Sequence, residues 1–187
     1  MKVSKNIENL MISLQILPGV GPKTAKRLAM FLLGENKDGA KNLSNSITTA
    51  IDSVRQCKIC GVLNDLEVCS ICSDSSRDNE SLCIVESTSD LFAIEETNEF
   101  KGKYFVLNGL LSPIDGIGPD ELRIKKLLNL SEQRKIKEVI IALNSTLEGE
   151  ATSYFLLENL KEDNIKVTKL AEGVPACLLY TSDAADE

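Results

Sequence analysis

Four cysteines are the residues of this 187-residue chain whose type and spacing point most directly to chemistry. They form two Cys-x-x-Cys pairs, Cys57 with Cys60 and Cys69 with Cys72, and eight residues separate the pairs. Each pair can offer two thiolates to one ion, and two pairs complete the tetrahedron that zinc prefers. Because the chain contains no histidine, four sulfur atoms are the natural ligand set. The spacing therefore predicts one bound zinc ion per chain.

The predicted zinc ion is expected to be structural, because four protein ligands leave no open position for a substrate. Gly61 follows the first pair, where a tight turn favours a residue that tolerates positive φ. Reduced cysteines without metal and a redox-active Cys-x-x-Cys are the alternatives. The redox alternative is disfavoured because two matched pairs lie together without a thioredoxin-like unit around them. Cys83 lies in an apolar run, which is typical of a buried packing residue.

The charged residues are distributed unevenly along the chain. The formal net charge of −7 argues by itself against a protein that coats DNA. Residues 1–60, however, contain nine Lys or Arg and four acidic residues, so this part carries +5 and the remainder −12. Chance clustering is one explanation. The other is an N-terminal part that binds an anion, joined to an acidic body.

The N-terminal part has the pattern of two short helices joined by a glycine-rich turn. Apolar residues at helical spacing (Ile7, Leu10, Met11, Leu14) predict the first helix. The turn spans residues 17–22, and Gly19 and Gly21 in it allow backbone conformations that other residues avoid. Pro22 suits the first position of the second helix, whose predicted inner face is Ala25, Leu28, Ala29 and Leu32. This is a helix-hairpin-helix arrangement; the alternative is a plain helical hairpin with a solvated face.

The turn could bind a phosphate, because a helix that begins after glycines presents free backbone N–H groups. Lys23 lies in the first turn of the second helix, where the helix dipole disfavours a cation. Lys26 and Arg27 extend the same basic surface. Contacts of this kind read the nucleic-acid backbone, so binding is expected to be independent of base sequence and sensitive to salt. The predicted DNA-binding residues are Gly19, Gly21, Lys23, Lys26 and Arg27.

A third helix is predicted from Asp38 to Gln56, with apolar side chains facing inward at Leu43, Ile47, Ala50, Ile51 and Val54. The polar segment 73–81 predicts a boundary or exposed loop. Apolar strands then alternate with helices from residue 82 to residue 170, which predicts a parallel sheet covered on both faces. The predicted strands cover 82–86, 104–107, 138–143 and 165–170, and the predicted helices cover 89–96, 120–130 and 150–160, with a structured loop at 110–118.

No apolar run is long enough to predict a membrane span, and the N-terminus lacks a signal-peptide pattern. We therefore expect a cytoplasmic protein. Thiols stay reduced in that compartment, which agrees with the metal-binding interpretation of the cysteines.

Together these segments resemble a known family. Glu86 at the end of one strand and the segment 144–152 after a later one resemble a Toprim domain. The order of helix-hairpin-helix, four-cysteine zinc finger and Toprim domain is similar to the RecR family of bacterial recombination mediators. The most specific segments are 17–25, the four cysteines, 110–119 and 148–152.

The resemblance implies a fold and a function. The fold is α/β, with an N-terminal helix-hairpin-helix, a four-cysteine zinc finger and a Toprim-type parallel sheet with flanking helices. The implied domains are residues 1–56, 57–72 and 80–175. RecR proteins form ring-like oligomers around DNA, and act with RecO, and in some settings RecF, to load RecA onto single-stranded DNA. The resemblance therefore implies a non-catalytic DNA clamp that forms dimers or tetrameric rings and binds single- and double-stranded DNA.

The acidic residues Glu86, Glu148 and Glu150 correspond to Toprim acidic positions, where a partner or residual Mg²⁺ could bind. A metal-dependent Toprim enzyme is the main alternative. Active Toprim enzymes have an Asp-x-Asp pair where this chain has Asn144 and Thr146, and neutral side chains replace carboxylates poorly around a hard cation. We therefore expect no catalysis. A further alternative is an interaction scaffold in which the hairpin makes oligomer contacts.

The tail departs from the family pattern. After the segment 173–175, RecR proteins continue with a glycine-rich, acidic stretch and a final helix, which residues 176–187 do not match. We assign no role to Cys177.

Overall fold

The computed structural model describes residues 3–120, 122–134, 136–160 and 165–170. The predicted tail 176–187 and the end of the predicted Toprim domain, residues 171–175, lie outside them. The chain divides into two compact units, with the division between Ser53 and Val54. None of the helices in the described ranges has the length and apolar character needed to cross a membrane.

The first unit consists of three helices, α1 (Lys5–Leu14), α2 (Pro22–Gly34) and α3 (Lys37–Ser53). The helical pattern of the sequence predicted α1 and α2 well. The apolar residues predicted for α1 are half-buried, and Ala25 and Ala29 of α2 are fully buried. Two alanines on one face let α1 and α2 approach closely, because a methyl group occupies little space between helix axes.

The prediction for the third helix was wrong in two respects. The helix ends at Ser53, and the next residues, Arg55–Gln56, form a short strand instead. Its predicted inward face is exposed, with 48% of Leu43, 51% of Ile47 and 75% of Ile51 accessible to solvent; Ala50 and Val54 are exposed as well. The apolar stripe is real, but the other helices of the first unit do not cover it.

The second unit begins with a two-stranded antiparallel hairpin, β1 (Arg55–Gln56) and β2 (Leu63–Asn64), which brackets the first cysteine pair. A one-turn helix, α4 (Ser70–Ser73), begins directly after Cys69 and carries Cys72. The two pairs are thereby held by different elements, one at a hairpin and one at a helix start.

The rest of the second unit is a four-stranded, wholly parallel sheet in the order β4-β3-β5-β6. The strands are β3 (Ser81–Val85), β4 (Lys103–Val106), β5 (Glu138–Ala142) and β6 (Lys166–Lys169). Helices α5 (Thr88–Glu96), α6 (Ile124–Arg134) and α7 (Leu147–Leu160) connect them. All four strands were predicted to within two residues at each end. The predicted helix 120–130 was wrong at both ends, since α6 begins at Ile124 and ends at Arg134.

The sheet is covered on both faces, as predicted, and β3 shows how. Leu82 and Ile84 pack into one core with residues of α6 and α7, such as Leu127 and Leu156. Cys83 and Val85 belong to a second core. The strand order places β4 on one side of β3 and β5 on the other. Crossover connections between parallel strands are right-handed, so connections that run in opposite directions along the sheet place their helices on opposite faces. The second core contains Leu91 of α5 and the cysteines.

Candidate metal centre and nucleic-acid interface

The four predicted ligand cysteines converge on one point. Their sulfur atoms all lie within 4.8 Å of one another, and no other group of three or more metal-ligating side chains occurs among the described residues. The Sγ atoms of Cys60 and Cys69 are 3.6 Å apart, which is too far for a disulfide. Two sulfurs of a tetrahedral zinc site with Zn–S bonds of about 2.3 Å would be about 3.8 Å apart. The site therefore fits zinc in both ligand type and size.

Backbone N–H groups around the sulfur atoms favour thiolates. The N–H of Cys69 donates to Sγ of Cys57 at 3.4 Å. Burial raises the pKa of Cys57, but N–H donors of Cys69, Cys60 and Ile59 outweigh burial, and the net pKa is lowered. Hydrogen bonding to Cys60 likewise lowers the pKa of Cys69, while the same contact raises that of Cys60. Without a cation the four groups cannot all ionise, so a divalent ion at the centre supplies the charge that this arrangement needs.

The predicted positive φ of Gly61 is confirmed, at +90°. This turn lets the carbonyl oxygen of Cys60 accept a hydrogen bond of 2.8 Å from the N–H of Val106, a residue of the edge strand β4. The first cysteine pair therefore lies against the free edge of the sheet. An edge strand has unpaired N–H and C=O groups, and this contact satisfies one of them.

Sequence reasoning missed three basic residues of the second unit, two of which contact the backbone of the metal centre. Lys103, at the start of β4, and Arg123, just before α6, both hydrogen-bond to backbone carbonyls of the cysteine segments. Arg77, in the segment predicted as an exposed loop, forms a two-point ion pair with Glu95 and lies over the Tyr104 ring. A single Lys or Arg in a polar segment gives no periodic signal, so the sequence could not single these residues out.

The predicted DNA-binding turn precedes α2. Gly19 has φ +77°, so it requires glycine, whereas Gly21 is extended (φ −82°, ψ 176°) and does not use glycine's special freedom. The expectation that both glycines adopt conformations that other residues avoid was therefore wrong for Gly21, which acts as the helix N-cap. No side chain caps the helix. The N–H groups of Lys23 and Thr24 have no acceptor among the described residues.

Lys23, Lys26 and Arg27 are all exposed within the first two turns of α2. None of them forms an ion pair with a residue that the structure describes. The arrangement combines uncapped N–H groups with three unneutralised cations on one short stretch of helix. Chemically it suits a multiply charged anion such as a nucleic-acid backbone.

The predicted acidic positions lie at the carboxyl ends of the strands. Glu86 follows β3 and Asn144 follows β5, on either side of the point where the strand order reverses, which is where open α/β sheets bind ligands. The Asn144 amide donates to Oε2 of Glu86 at 2.9 Å. Glu150 forms an ion pair with Lys169. Glu148 is half-buried in the first turn of α7, beside Gly149.

These positions do not form a carboxylate cluster. Among the described residues, no three acidic side chains approach one another as a divalent cation would require. An amide donor occupies one oxygen of Glu86, and a lysine occupies Glu150. Glu86 thus has a neutral neighbour, Asn144, and Glu150 a cationic one, Lys169, whereas a Mg²⁺-dependent site needs further anionic ligands beside these carboxylates.

Comparisons with known proteins agree with this architecture. The RecR helix-hairpin-helix family matches residues 7–51, the RecR four-cysteine zinc finger domain matches residues 54–74, and the Toprim domain matches residues 80–171. The chain is 46% identical over 172 residues to the recombination protein RecR of Acinetobacter baylyi, covering 92% of this chain and 87% of the relative. It is 47% identical over 169 residues to that of Saccharophagus degradans, covering 90% and 86%.

A third relative, the recombination protein RecR of Halorhodospira halophila, is 43% identical over 172 residues, covering 92% of this chain and 86% of the relative. The matched segments include the hairpin, the four cysteines and the parallel sheet in the order that the structure shows. Zinc is thus the cofactor that the four-cysteine centre holds. The chain belongs to the RecR family of recombination proteins and contains its helix-hairpin-helix, zinc finger and Toprim domains.

Proposed function

We propose that this chain is a non-catalytic, ring-forming DNA clamp that acts with RecO, and in some settings RecF, to help load RecA onto single-stranded DNA. The observation that carries the proposal is the group of exposed, unpaired cations at the uncapped start of α2, formed by Lys23, Lys26 and Arg27. The family membership supports recombinational repair as the process.

DNA binds at this group through its phosphates. A cation in the first turn of a helix costs the helix about 0.3–1 kcal/mol when no anion is near, because the N-terminus of the dipole is positive. A phosphate placed between the N–H groups of Lys23 and Thr24 and the ammonium of Lys23 removes that conflict. Lys26 and Arg27 then meet neighbouring phosphates along the strand. Since these groups contact no base edge, single- and double-stranded DNA of any sequence are substrates.

The oligomer uses the apolar stripe of α3. Leu43, Ile47 and Ile51 recur every four residues on one helix face, and all three are largely exposed in the single chain. A second copy of this chain offers the same stripe, and helices with an apolar stripe of this kind pack face to face. A dimer or a tetrameric ring thereby covers side chains that a monomer leaves in water.

RecO binds the acidic end of the sheet, at Glu86 and Glu148. The chain after residue 60 carries −12, which suits a basic partner surface. Glu150 contributes less than its neighbours, because Lys169 already neutralises it. The same contacts argue against the alternative of a Mg²⁺-dependent Toprim enzyme.

The test is DNA affinity, measured by fluorescence anisotropy with a labelled oligonucleotide in low salt. Lys23→Ala combined with Arg27→Ala should weaken binding at least about tenfold, since each phosphate contact contributes about 0.7 to the slope of log K against log salt and two contacts are lost. The matched control is Lys101→Ala combined with Lys137→Ala, which removes the same charge from exposed positions of the second unit. Equal losses in both double variants, with unchanged circular dichroism, would overturn the proposed site.

A further inference from the structure

Two basic side chains of the Toprim domain reach into the zinc finger. Lys103 and Arg123 lie outside the segment 54–74 that matches the zinc finger, yet both end at its backbone. Lys103 reaches the second cysteine pair and Arg123 the first, so that each pair has a cation with restricted exposure beside it.

Lys103 is a charged side chain inside the protein, with 1% of its surface exposed. Its ammonium donates to the backbone oxygens of Ile71 at 2.8 Å, Cys72 at 3.3 Å and Asp74 at 2.5 Å. These are the carbonyls at the end of α4. No described carboxylate forms an ion pair with Lys103. The nearby Asp74 carboxylate accepts hydrogen bonds from Ser76, which are the main cause of the lowered pKa of Asp74, and the charge of Lys103 makes a smaller contribution. A buried ammonium without a counter-charge is costly.

Arg123 is half-buried at the first pair. Its guanidinium donates to the carbonyl of Val106 at 3.2 Å and to that of Ile59 at 3.4 Å. It also lies over the Phe105 ring, 4.9 Å from the centroid. Burial lowers the pKa of Arg123, and the nearby cysteines Cys60, Cys57 and Cys72 act in the opposite direction. No described carboxylate pairs with Arg123 either.

The charges of the four thiolates, the zinc ion, Lys103 and Arg123 add to zero once the metal is bound. Four thiolates and one Zn²⁺ carry a net charge of −2, and Lys103 with Arg123 carries +2. We propose that Lys103 and Arg123 are positioning residues of the zinc centre, and that their charges balance the zinc–thiolate cluster and fasten it to the edge of the Toprim sheet. Zinc affinity is then a property of the Toprim domain as well as of the four ligands.

Arg77 shows what a partly buried cation with its own partner looks like in the same unit. Its guanidinium makes two short hydrogen bonds, of 2.6 and 2.8 Å, to the Glu95 carboxylate. Lys103 and Arg123 lack such a carboxylate among the described residues, which leaves the cluster as their counter-charge. Lys126 provides a second comparison. Its ammonium also donates to a backbone carbonyl of the first cysteine segment, that of Lys58, but the Lys126 side chain is exposed to solvent.

The experiment is a zinc competition titration of the full-length chain against a chromophoric chelator. Lys103→Met and Arg123→Met should each weaken zinc binding about 10–100-fold, the range seen when outer-shell partners of metal ligands are removed. Lys126→Met and Arg77→Met should change it by no more than about twofold, because the Lys126 ammonium lies in solvent and the Arg77 charge is already balanced by Glu95. Arg77→Met is expected to lower the melting temperature without weakening zinc binding. It therefore serves as the control for a loss of stability that leaves the zinc centre intact.

A second pair of variants separates charge from hydrogen bonding. Arg123→Gln keeps a donor without the charge and should lose as much affinity as Arg123→Met, whereas Arg123→Lys should retain most of it. If Lys103→Met fails to fold, the two Arg123 variants test the proposal instead. They are expected to fold, because the Arg123 side chain is partly exposed and lies outside the core.

The melting temperature provides a readout that does not depend on the chelator. Stripping zinc should lower it less in Arg123→Gln than in the parent, since the variant loses less binding energy. Parental zinc affinity in Arg123→Gln, or a loss in Arg77→Met equal to that in Arg123→Met, would overturn the proposal.

Discussion

Arg123 occupies the space that a side chain on Gly61 would need. A Cβ atom built on Gly61 would lie 1.4 Å from Nη1 of Arg123 and 3.0 Å from the carbonyl oxygen of Val106. Gly61 also has φ +90°. The glycine after the first cysteine pair thus has two tasks, the turn itself and the approach of an arginine from a segment about sixty residues later.

Gly61→Ala should therefore cost more than backbone strain alone. Positive φ costs a non-glycine residue about 1–2 kcal/mol, and displacement of Arg123 should raise the total to about 2–4 kcal/mol. Urea unfolding of the zinc-loaded chain measures this. Gly116→Ala is the matched control, because Gly116 has φ +72° but nothing within 4 Å of its missing Cβ. Equal costs at both positions would mean that Arg123 moves aside freely.

Replacing one ligand should remove the zinc. Cys57→Ser should abolish stoichiometric binding of the one ion that the site holds, because a neutral hydroxyl replaces a thiolate. It should also destabilise the second unit, since the cluster belongs to the second core. Cys83→Ala is the control: this thiol is equally buried but is no ligand, so it should keep the zinc. Atomic absorption gives the metal content, and zinc-free Cys83→Ala would show that the core, and not the ligand set, controls binding.

The sequence predicted those parts of the molecule that repeat. The strands of the sheet have continuous apolar runs, α1 and α2 have helical periodicity, and the cysteine spacing has few interpretations. These features depend on neighbours along the chain, which a sequence displays directly. The division into residues 1–56, 57–72 and 80–175 and the roles of the individual DNA-binding residues remain predictions.

What the sequence could not predict depends on contacts between distant segments. The apolar stripe of α3 has the correct period, but periodicity does not say whether the face is covered by the same chain. Arg123 lies in a stretch predicted as the first turns of a helix; the structure starts α6 at Ile124, which frees Arg123 to turn towards Gly61. Only three-dimensional proximity identifies it as a neighbour of the zinc.

The apolar stripe of α3 predicts the effect of a polar substitution on assembly. Ile47→Glu places a charge in the middle of the stripe and should lower the mass measured by light scattering, because an unpaired charge in an apolar interface is costly. Thr48→Glu, one residue along on the same exposed helix, is the control and should leave the mass unchanged. A parental mass for Ile47→Glu would place the oligomer contacts elsewhere.

The Arg77–Glu95 pair predicts a dependence of stability on pH. Hydrogen bonding to Arg77 lowers the pKa of Glu95 below its ordinary value, so the pair stabilises the fold above that ordinary value, which is about 4.3. The stabilisation should be lost as the pH falls through the lowered folded-state pKa. Arg77→Met should therefore show a weaker decline in melting temperature below about pH 5 than the parent. Parallel pH profiles would show that other carboxylates control the acid unfolding.

The salt dependence of DNA affinity tests most directly whether Lys23 and Arg27 of the hairpin bind DNA phosphates. Removing the charges of Lys23 and Arg27 should reduce the slope of log K against log salt by about 1.4 for single-stranded DNA, because each phosphate contact contributes about 0.7. The double variant and the parent should then converge in affinity at high salt. If the slope is unchanged while the double variant remains folded, these residues do not bind phosphate, and the account of the hairpin as the DNA-binding surface is wrong.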